Sequence, residues 1–135
     1  MHTVIVIDDQ VTTNKLLTQL VKQIRVKDEP VNVESFTDCR DAFNWLKTNT
    51  AELILVDYKM PNLNGIEFIK LVRRMDKCND IPIIMITAFD DKPIRYSALE
   101  AGAQDFLSKP LDHHECKARC KNLLDLGVNQ KELKR

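Results

Sequence analysis

The sequence has no excess of charge of either sign. Its 135 residues include 20 lysines and arginines and 20 aspartates and glutamates, so the formal net charge at pH 7 is zero. A basic footprint for nucleic acid is therefore missing, and we expect no direct nucleic acid binding. The four cysteines are too few for a disulfide framework, which favours free thiols in a reducing, cytoplasmic setting.

Long apolar runs are also missing. No segment approaches the ~18 consecutive apolar residues of a membrane helix. The apolar run that begins at Val4 has no basic segment before it and no small-residue cleavage site after it. We therefore expect neither a membrane span nor a signal peptide. Hydrophobic residues make up 44% of the chain, enough for one core. We expect residues 1–126 to form one domain and residues 127–135 a tail or the start of a linker.

Five short segments are predicted to be strands. Residues 4–7, 53–56 and 83–86 are uninterrupted apolar runs rich in β-branched residues, which is typical of strands buried on both faces of a parallel sheet. Residues 31–36 alternate instead, which suits an edge strand. Residues 104–108 form a weaker fifth strand.

Apolar residues at helical spacing fill the gaps between these strands. The stripes are Leu17, Leu20, Val21 and Ile24; Cys39, Ala42, Phe43 and Leu46; Phe68, Leu71, Val72 and Met75; Ile94, Ala98 and Ala101; and Cys116, Cys120 and Leu123. Asp38 is a candidate N-cap, Gly102 a candidate C-cap, and the last helix should end near Gly127. This alternation predicts an α/β fold: a doubly wound five-stranded parallel sheet of order 2-1-3-4-5, in a flavodoxin-like (βα)5 sandwich.

Polar residues stand at the carboxyl ends of the predicted strands. Asp8 and Asp9 follow the first strand, Asp57 follows the third, Thr87 ends the fourth and Lys109 follows the fifth. These ends share one edge of a parallel sheet, where ligands bind, so the five side chains should converge on one site. A single Asp after a strand is usually a helix cap or turn former. Five polar residues at the ends of four strands are much harder to explain in that way.

Three carboxylates packed together repel, so either some bind protons or a cation neutralises them. Oxygen ligands with open positions suit Mg²⁺, which also binds phosphate oxygens. With Lys109 as a positive charge and Thr87 as a hydroxyl donor, the set predicts a phosphoryl-transfer site. Asp57, on a central strand, is the candidate nucleophile that would become an acyl phosphate, and Asp8 and Asp9 are candidate metal ligands.

Four segments carry a more specific pattern. They are Ile7-Asp8-Asp9, Val56-Asp57-Tyr58-Lys59-Met60-Pro61 with Gly65, Ile86-Thr87-Ala88, and Ala101-Gly102-Ala103 through Lys109-Pro110. In this order, within residues 3–126, they resemble the receiver domains of two-component response regulators. The resemblance implies a phosphorylation-dependent signalling switch, and not an enzyme that acts on a separate substrate.

The resemblance implies a role for each site residue. Asp57 would accept a phosphoryl group from a phosphohistidine of a histidine kinase or phosphotransfer protein. Mg²⁺, for which Mn²⁺ can substitute, would be held by Asp9, Asp57 and the backbone carbonyl of Lys59, with Asp8 acting mainly through water.

The resemblance further implies how a signal leaves the site. Thr87 would move to bond the phosphoryl group, with which Lys109 would pair. Phe106, at the family's switch aromatic position, would turn inward. The face formed by helix 4, strand 5 and helix 5 would then change. The Lys109-Pro110 peptide bond is expected to be cis.

Two further sets of residues match positions of known use in this family. Lys59 and Phe89 stand where phosphoryl lifetime is tuned. A bulky Phe89 would shield the acyl phosphate from water, while Lys59 would either shield it too or lie in solvent, and we predict slow self-dephosphorylation. Arg95, Asp105 and Arg119 resemble charged positions through which some receivers form symmetric dimers. An ordinary solvated surface is the alternative for these three.

The effector would lie outside this chain. Residues 56–61 and 103–110 resemble receivers fused to cyclic-di-GMP phosphodiesterases of the HD-GYP type, while DNA-binding and diguanylate cyclase outputs stay open.

The cysteines and histidine at the start of the last helix have zinc-like spacing (His113, Cys116 and Cys120). Core packing of both thiols is the favoured interpretation.

Three other functions share parts of this pattern. A flavodoxin-like electron carrier needs a phosphate-binding loop after strand 1, and Asp8-Asp9 would repel that phosphate. An Asp-nucleophile phosphohydrolase of the haloacid-dehalogenase type carries Asp-x-Asp after its first strand, whereas these two aspartates are adjacent. A pseudo-receiver that binds without being phosphorylated usually lacks one of the five polar residues, all of which are present in this chain.

Overall fold

A five-stranded parallel sheet lies at the centre of the computed structural model, which describes residues 2–88 and 92–133, with side chains up to residue 127. Its strands are β1 (Thr3–Ile7), β2 (Asn32–Phe36), β3 (Leu53–Asp57), β4 (Ile83–Thr87) and β5 (Asp105–Ser108). They lie in the order β2-β1-β3-β4-β5 and pair in parallel throughout. The predicted fold class and strand order are confirmed.

Helices cover both faces of this sheet. They are α1 (Val11–Lys22), α2 (Cys39–Thr48), α3 (Gly65–Arg73), α4 (Lys92–Ala101) and α5 (His113–Leu133). One apolar cluster joins the sheet to α2, α3 and α4, and the other joins it to α1 and α5. Successive residues of β1 belong to opposite clusters, because side chains alternate along a strand. This is why the central strands are apolar at every position.

Helix starts follow the local chemistry of the sequence. Asp38 caps α2 by accepting a hydrogen bond from the Arg40 N–H. Asn64 and Glu67 form a reciprocal capping box at the start of α3, in which each side chain accepts a hydrogen bond from the other residue's backbone N–H. Gly102 follows α4 with a φ of 120°, as its predicted place at the helix end requires.

A short hairpin between α1 and β2 is absent from the predicted elements. Its strands are Arg25–Val26 and Glu29–Pro30, joined through Lys27 and Asp28, both of which have positive φ. Two-residue strands are too short to show any periodicity in a sequence. Tertiary packing supports the hairpin instead, because Val26 is buried in the cluster that includes α5.

The last helix also differs from its predicted course. It does not end near Gly127 but continues to Leu133, so it crosses the predicted boundary at residue 126. The residues after Gly127 include Gln130, Lys131 and Glu132, which all favour helix, and this outweighs the cost of one glycine. The assignment of residues 127–135 to a tail or linker stays a prediction. None of the helices in the described part of the chain is long and apolar enough to cross a bilayer.

Candidate functional site

The carboxyl ends of four strands meet at one edge of the sheet. Asp57 and Thr87 are the last residues of β3 and β4. Backbone hydrogen bonds continue past the strand ends: the Asp8 N–H donates to the Phe36 carbonyl at 3.1 Å, and the Lys109 N–H donates to the Thr87 carbonyl at 2.9 Å. The segments that follow β1 and β5 are therefore held in register with the sheet, and so are the side chains they carry.

Three carboxylates and one ammonium group meet at this edge. Asp8, Asp9 and Asp57 each offer a carboxylate oxygen, and these oxygens all lie within 4.8 Å of one another. Lys109 Nζ lies 3.1 Å from Asp57 Oδ1 and 3.4 Å from Asp8 Oδ2. Asp8, Asp57 and Thr87 are buried, whereas Asp9 is more exposed. The structure brings together the five polar residues that the sequence places at strand ends.

Burial makes Asp8 and Asp57 reluctant to ionise. Burial first, and then the nearby charge of Asp8, raise the pKa of Asp57 to about 6 against the opposing effect of Lys109. Burial also raises the pKa of Asp8, although the Gln10 N–H and Lys109 both favour its charged form. Burial alone would lower the pKa of Lys109, but its hydrogen bond to Asp57 and the two acidic charges outweigh this and raise it. One lysine offsets only part of the negative charge.

One oxygen in the cluster is buried without a partner. Asp9 Oδ1 has almost no solvent exposure and accepts no hydrogen bond from any group in the described residues. A buried carboxylate oxygen without a donor is costly unless a cation or proton satisfies it. The donor set around it consists of carboxylate oxygens, the ligand type that Mg²⁺ selects. The residues therefore fit a divalent cation of that kind.

A cleft of about 490 Å³ opens beside the carboxylates and is lined by Asp57, Lys59, Thr87 and Lys109 among others. Next to this cleft, α3 approaches the end of β3 closely. The Gly65 N–H donates to the Tyr58 carbonyl at 2.8 Å, and a β-carbon on Gly65 would lie 2.7 Å from the Asp57 backbone oxygen. A residue without a side chain is therefore needed where α3 begins.

The predicted output residues form one face on β5 and its neighbouring helices. Phe106 is half-buried against the core, and the Arg95 guanidinium lies 4.6 Å from the centre of its ring. Arg119 pairs with Asp105 and with Glu115 within the same chain. The Lys109-Pro110 peptide bond at the end of this face is cis.

Some candidate residues lie elsewhere or outside the described part. Phe89 lies outside the described residues. Cys116 and Cys120 are buried in the core while His113 is exposed, so the structure places the two thiols in packing positions.

The sequence interpretation missed one polar residue next to the site. Asn14 is buried in α1, and its side-chain Nδ2 donates to the Asp8 carbonyl at 3.0 Å and to the Phe36 carbonyl at 2.8 Å. The sequence does contain a signal that Asn14 is buried and hydrogen-bonded. Asn14 stands three and seven residues before Leu17 and Val21, on the apolar stripe of α1, where a polar side chain needs partners.

Comparison with known proteins assigns the chain to a family. The response regulator receiver domain model matches residues 4–121. The chain belongs to this family, the receiver domains of two-component response regulators, whose function is that of a phosphorylation-dependent switch.

Named relatives cover nearly all of this chain but only part of their own length. The cyclic di-GMP phosphodiesterase response regulator RpfG of Xanthomonas campestris pv. campestris (strain 8004) is 40% identical over 131 residues, which is 97% of this chain and 34% of RpfG. The phosphate regulon transcriptional regulatory protein PhoB of Escherichia coli (strain K12) is 31% identical over 121 residues, 90% of this chain and 51% of PhoB. The chain thus spans about a third to a half of these relatives.

Solved structures share the whole fold. A response regulator from Chloroflexus aurantiacus J-10-fl superposes with a TM-score of 0.82 at 28% identity, covering 91% of this chain and 97% of that one. The chemotaxis response regulator CheY4 of Vibrio cholerae gives a TM-score of 0.80 at 24% identity, with 91% and 98% covered.

Proposed function

We propose that Asp57 is the phosphoacceptor of this receiver domain. The observation that supports this most directly is its position: it is buried, belongs to the carboxylate cluster at the end of the middle strand, and lies 3.1 Å from Lys109 Nζ. A histidine kinase or phosphotransfer protein supplies the phosphoryl group from a phosphohistidine. One Asp57 carboxylate oxygen forms a bond to phosphorus while the bond from phosphorus to the imidazole nitrogen breaks, and the electron pair stays on that nitrogen.

Each neighbour of Asp57 has a distinct part in this proposal. Lys109 pairs with the phosphoryl oxygens as charge moves onto them, and Thr87 donates its hydroxyl to them. Asp8, Asp9, Asp57 and the Lys59 backbone carbonyl are the groups that would hold Mg²⁺, with Mn²⁺ as a substitute. When bound, the ion supplies positive charge to the transferring group and offsets the repulsion among the carboxylates.

Mass spectrometry after incubation with acetyl phosphate and Mg²⁺ tests the proposal. We expect the wild-type chain to gain ~80 Da, the mass of one phosphoryl group. Asp57→Asn should gain nothing, whereas the matched control Asp41→Asn, at an exposed position on α2, should gain the same mass as wild type. Labelling of Asp57→Asn at another residue would show that the nucleophile is misassigned.

Lys59 and Phe89 are proposed to slow the loss of the phosphoryl group. Lys59 lines the cleft beside Asp57, and a bulky side chain there hinders the attacking water. We expect Phe89→Ala and Lys59→Ala each to shorten the half-life of the phosphorylated chain severalfold, as followed by phosphate release. Half-lives equal to that of wild type in both variants would eliminate this role.

The surface of α4, β5 and α5 is proposed as the output face. It carries the switch residue Phe106 together with Arg95, Asp105 and Arg119. We infer that it pairs with a second copy of this chain after phosphorylation, when the contacts within one chain exchange for contacts between chains. Light scattering with and without beryllofluoride, a phosphoryl mimic, measures this, and a mass that stays monomeric under both conditions would count against the dimer.

The proposed effector is a cyclic-di-GMP phosphodiesterase unit of the HD-GYP type, acting in the cytoplasm. Support comes from the identity to RpfG, 40% over nearly the whole chain, against 31% to PhoB. The reading frame beyond codon 135, or a neighbouring gene, should encode such a unit. A DNA-binding domain in that place would refute this assignment and leave the receiver function intact.

A further inference from the structure

We propose that Asn14 is a positioning residue for the metal ligand Asp9. Its side chain lies in the first turns of α1, is almost fully buried, and does not belong to the carboxylate cluster itself. It acts on the backbone that carries the cluster. The inference rests on the proposed function of the site and adds a residue that sets the geometry of that site.

The argument begins with one peptide unit. Asn14 Nδ2 donates to the Asp8 carbonyl oxygen at 3.0 Å. That carbonyl and the Asp9 N–H belong to the same planar peptide group, so holding the oxygen fixes the plane from which the Asp9 side chain departs. The hydrogen bond from Asn14 to the Asp8 carbonyl, which spans six residues of the chain, therefore sets the orientation of Asp9.

A second bond ties the same amide to the sheet. Asn14 Nδ2 also donates to the Phe36 carbonyl at the end of β2, at 2.8 Å. This carbonyl already accepts the Asp8 N–H at 3.1 Å. One NH₂ group, which has two N–H donors, thus connects the ends of β1 and β2. The loop after β1 is attached to two fixed points and has little freedom to turn.

The Asp8 side chain completes this arrangement from the other direction. Its Oδ1 accepts the Gln10 N–H at 2.9 Å, while its Oδ2 faces Lys109. The backbone around Asp9 is thereby held on both sides. Asp9 Oδ1 is left buried and without a donor among the described residues. An oxygen kept free in this way is pre-organised for a cation, because no protein hydrogen bond has to be broken when the ion binds.

The test compares two substitutions on the same helix. Asn14→Leu keeps the branching of the side chain at Cγ and removes the amide donor. Thr18→Val is the matched control, since the Thr18 hydroxyl donates to the Asn14 backbone carbonyl at 2.9 Å and, among the described residues, no hydrogen bond of this side chain reaches the loop after β1. Mg²⁺ titrations followed by the amide resonances of the site give the dissociation constants, and urea unfolding in EDTA gives the stabilities.

We expect Asn14→Leu to raise the Mg²⁺ dissociation constant about tenfold, the range found for groups that orient metal ligands, and to speed hydrogen exchange at the Asp9 and Gln10 amides. Thr18→Val should lose stability and keep the wild-type dissociation constant. Should Asn14→Leu fail to fold, Asn14→Ser replaces it. Mg²⁺ affinity and exchange equal to wild type in the Asn14 variant would overturn the inference alone. A wild-type chain that binds no Mg²⁺ would overturn the proposed function and this inference together.

Discussion

Asp57 must be ionised to act as a nucleophile, yet its surroundings oppose ionisation. It lies at the end of a strand whose residues are all buried, and burial followed by the charge of Asp8 raises its pKa to about 6. Lys109 opposes this rise without cancelling it. A residue whose charged form is unfavourable in the folded chain makes stability depend on pH, and the direction of that dependence can be worked out.

Without divalent cations, Asp57→Asn should be more stable than wild type, and by more at pH 8 than at pH 5. The carboxyl pKa is about 6 in the folded chain and 3.8 as the reference for an unfolded one. Between these values the folded state binds more protons, so wild-type stability falls as pH rises through the window. An amide does not titrate and escapes this loss, which is on the order of 3 kcal/mol in total and about 1.4 kcal/mol between pH 5 and pH 8. Urea unfolding in EDTA at both pH values measures the difference.

Asp41→Asn serves as control, because Asp41 is exposed on α2, and its effect should be small at both pH values. A difference between Asp57→Asn and wild type that stays constant from pH 5 to pH 8 would contradict the raised pKa.

At the scale of elements, the site depends on how closely a helix start can approach a strand end. The start of α3 packs against the backbone of Asp57 and Tyr58, and Gly65 is the point of contact. The capping box of Asn64 and Glu67 fixes where α3 begins. The connection between β3 and α3 thus shapes the cleft through backbone packing as well as through its side chains.

The same substitution at two glycines should have opposite effects. Gly65→Ala places a β-carbon 2.7 Å from the Asp57 carbonyl oxygen and 3.0 Å from Tyr58 Cα, so the backbone has to shift. We expect it to lower the free energy of unfolding by about 2 kcal/mol and to slow phosphorylation. Gly127→Ala meets nothing within 4 Å in the middle of α5 and should raise that free energy by up to about 1 kcal/mol. Urea unfolding measures the free energy of unfolding of both variants. Equal changes in this free energy would refute the packing argument.

The sequence predicts a strand or helix correctly where buried apolar residues recur at regular spacing along the chain. The strand 53–56 was predicted because every residue is apolar, and it is buried on both faces in the structure. The hairpin at Arg25–Val26 and Glu29–Pro30 escaped because it has no repeating pattern. The predicted end of α5 near Gly127 is too early, because the helix-favouring residues after Gly127 outweigh the cost of that glycine.

At the scale of the whole molecule, a net charge of zero conceals a local concentration of negative charge. Three carboxylates face Lys109 at one edge of the sheet, while two apolar clusters hold the sheet between its helices. Repulsion at the edge therefore works against the folded state of the entire domain. Any cation that binds there should stabilise the whole fold.

Mg²⁺ should raise the melting temperature, and more so at pH 8 than at pH 5. At tenfold excess over its dissociation constant we expect a shift of about 3–6 °C at pH 8. At pH 5 the shift should be smaller, because protons on the buried acids, Asp57 with a pKa of about 6 among them, compete with the ion. Differential scanning fluorimetry provides the measurement. Asp9→Asn should remove most of the shift and Asp41→Asn none of it, and a shift independent of pH would refute the proposed competition.

The order of strands and helices, and the five polar residues at the strand ends, follow from the linear pattern of the chain, because strand and helix periods and the parallel arrangement of strands are local or topological properties. How these five residues meet depends on the folded chain. The 3.1 Å contact of Lys109 with Asp57, the buried and unpartnered Asp9 Oδ1 and the bridging role of Asn14 depend on distances between residues far apart in the chain. A linear pattern carries no such distances, since they arise only when the sheet and its helices pack together.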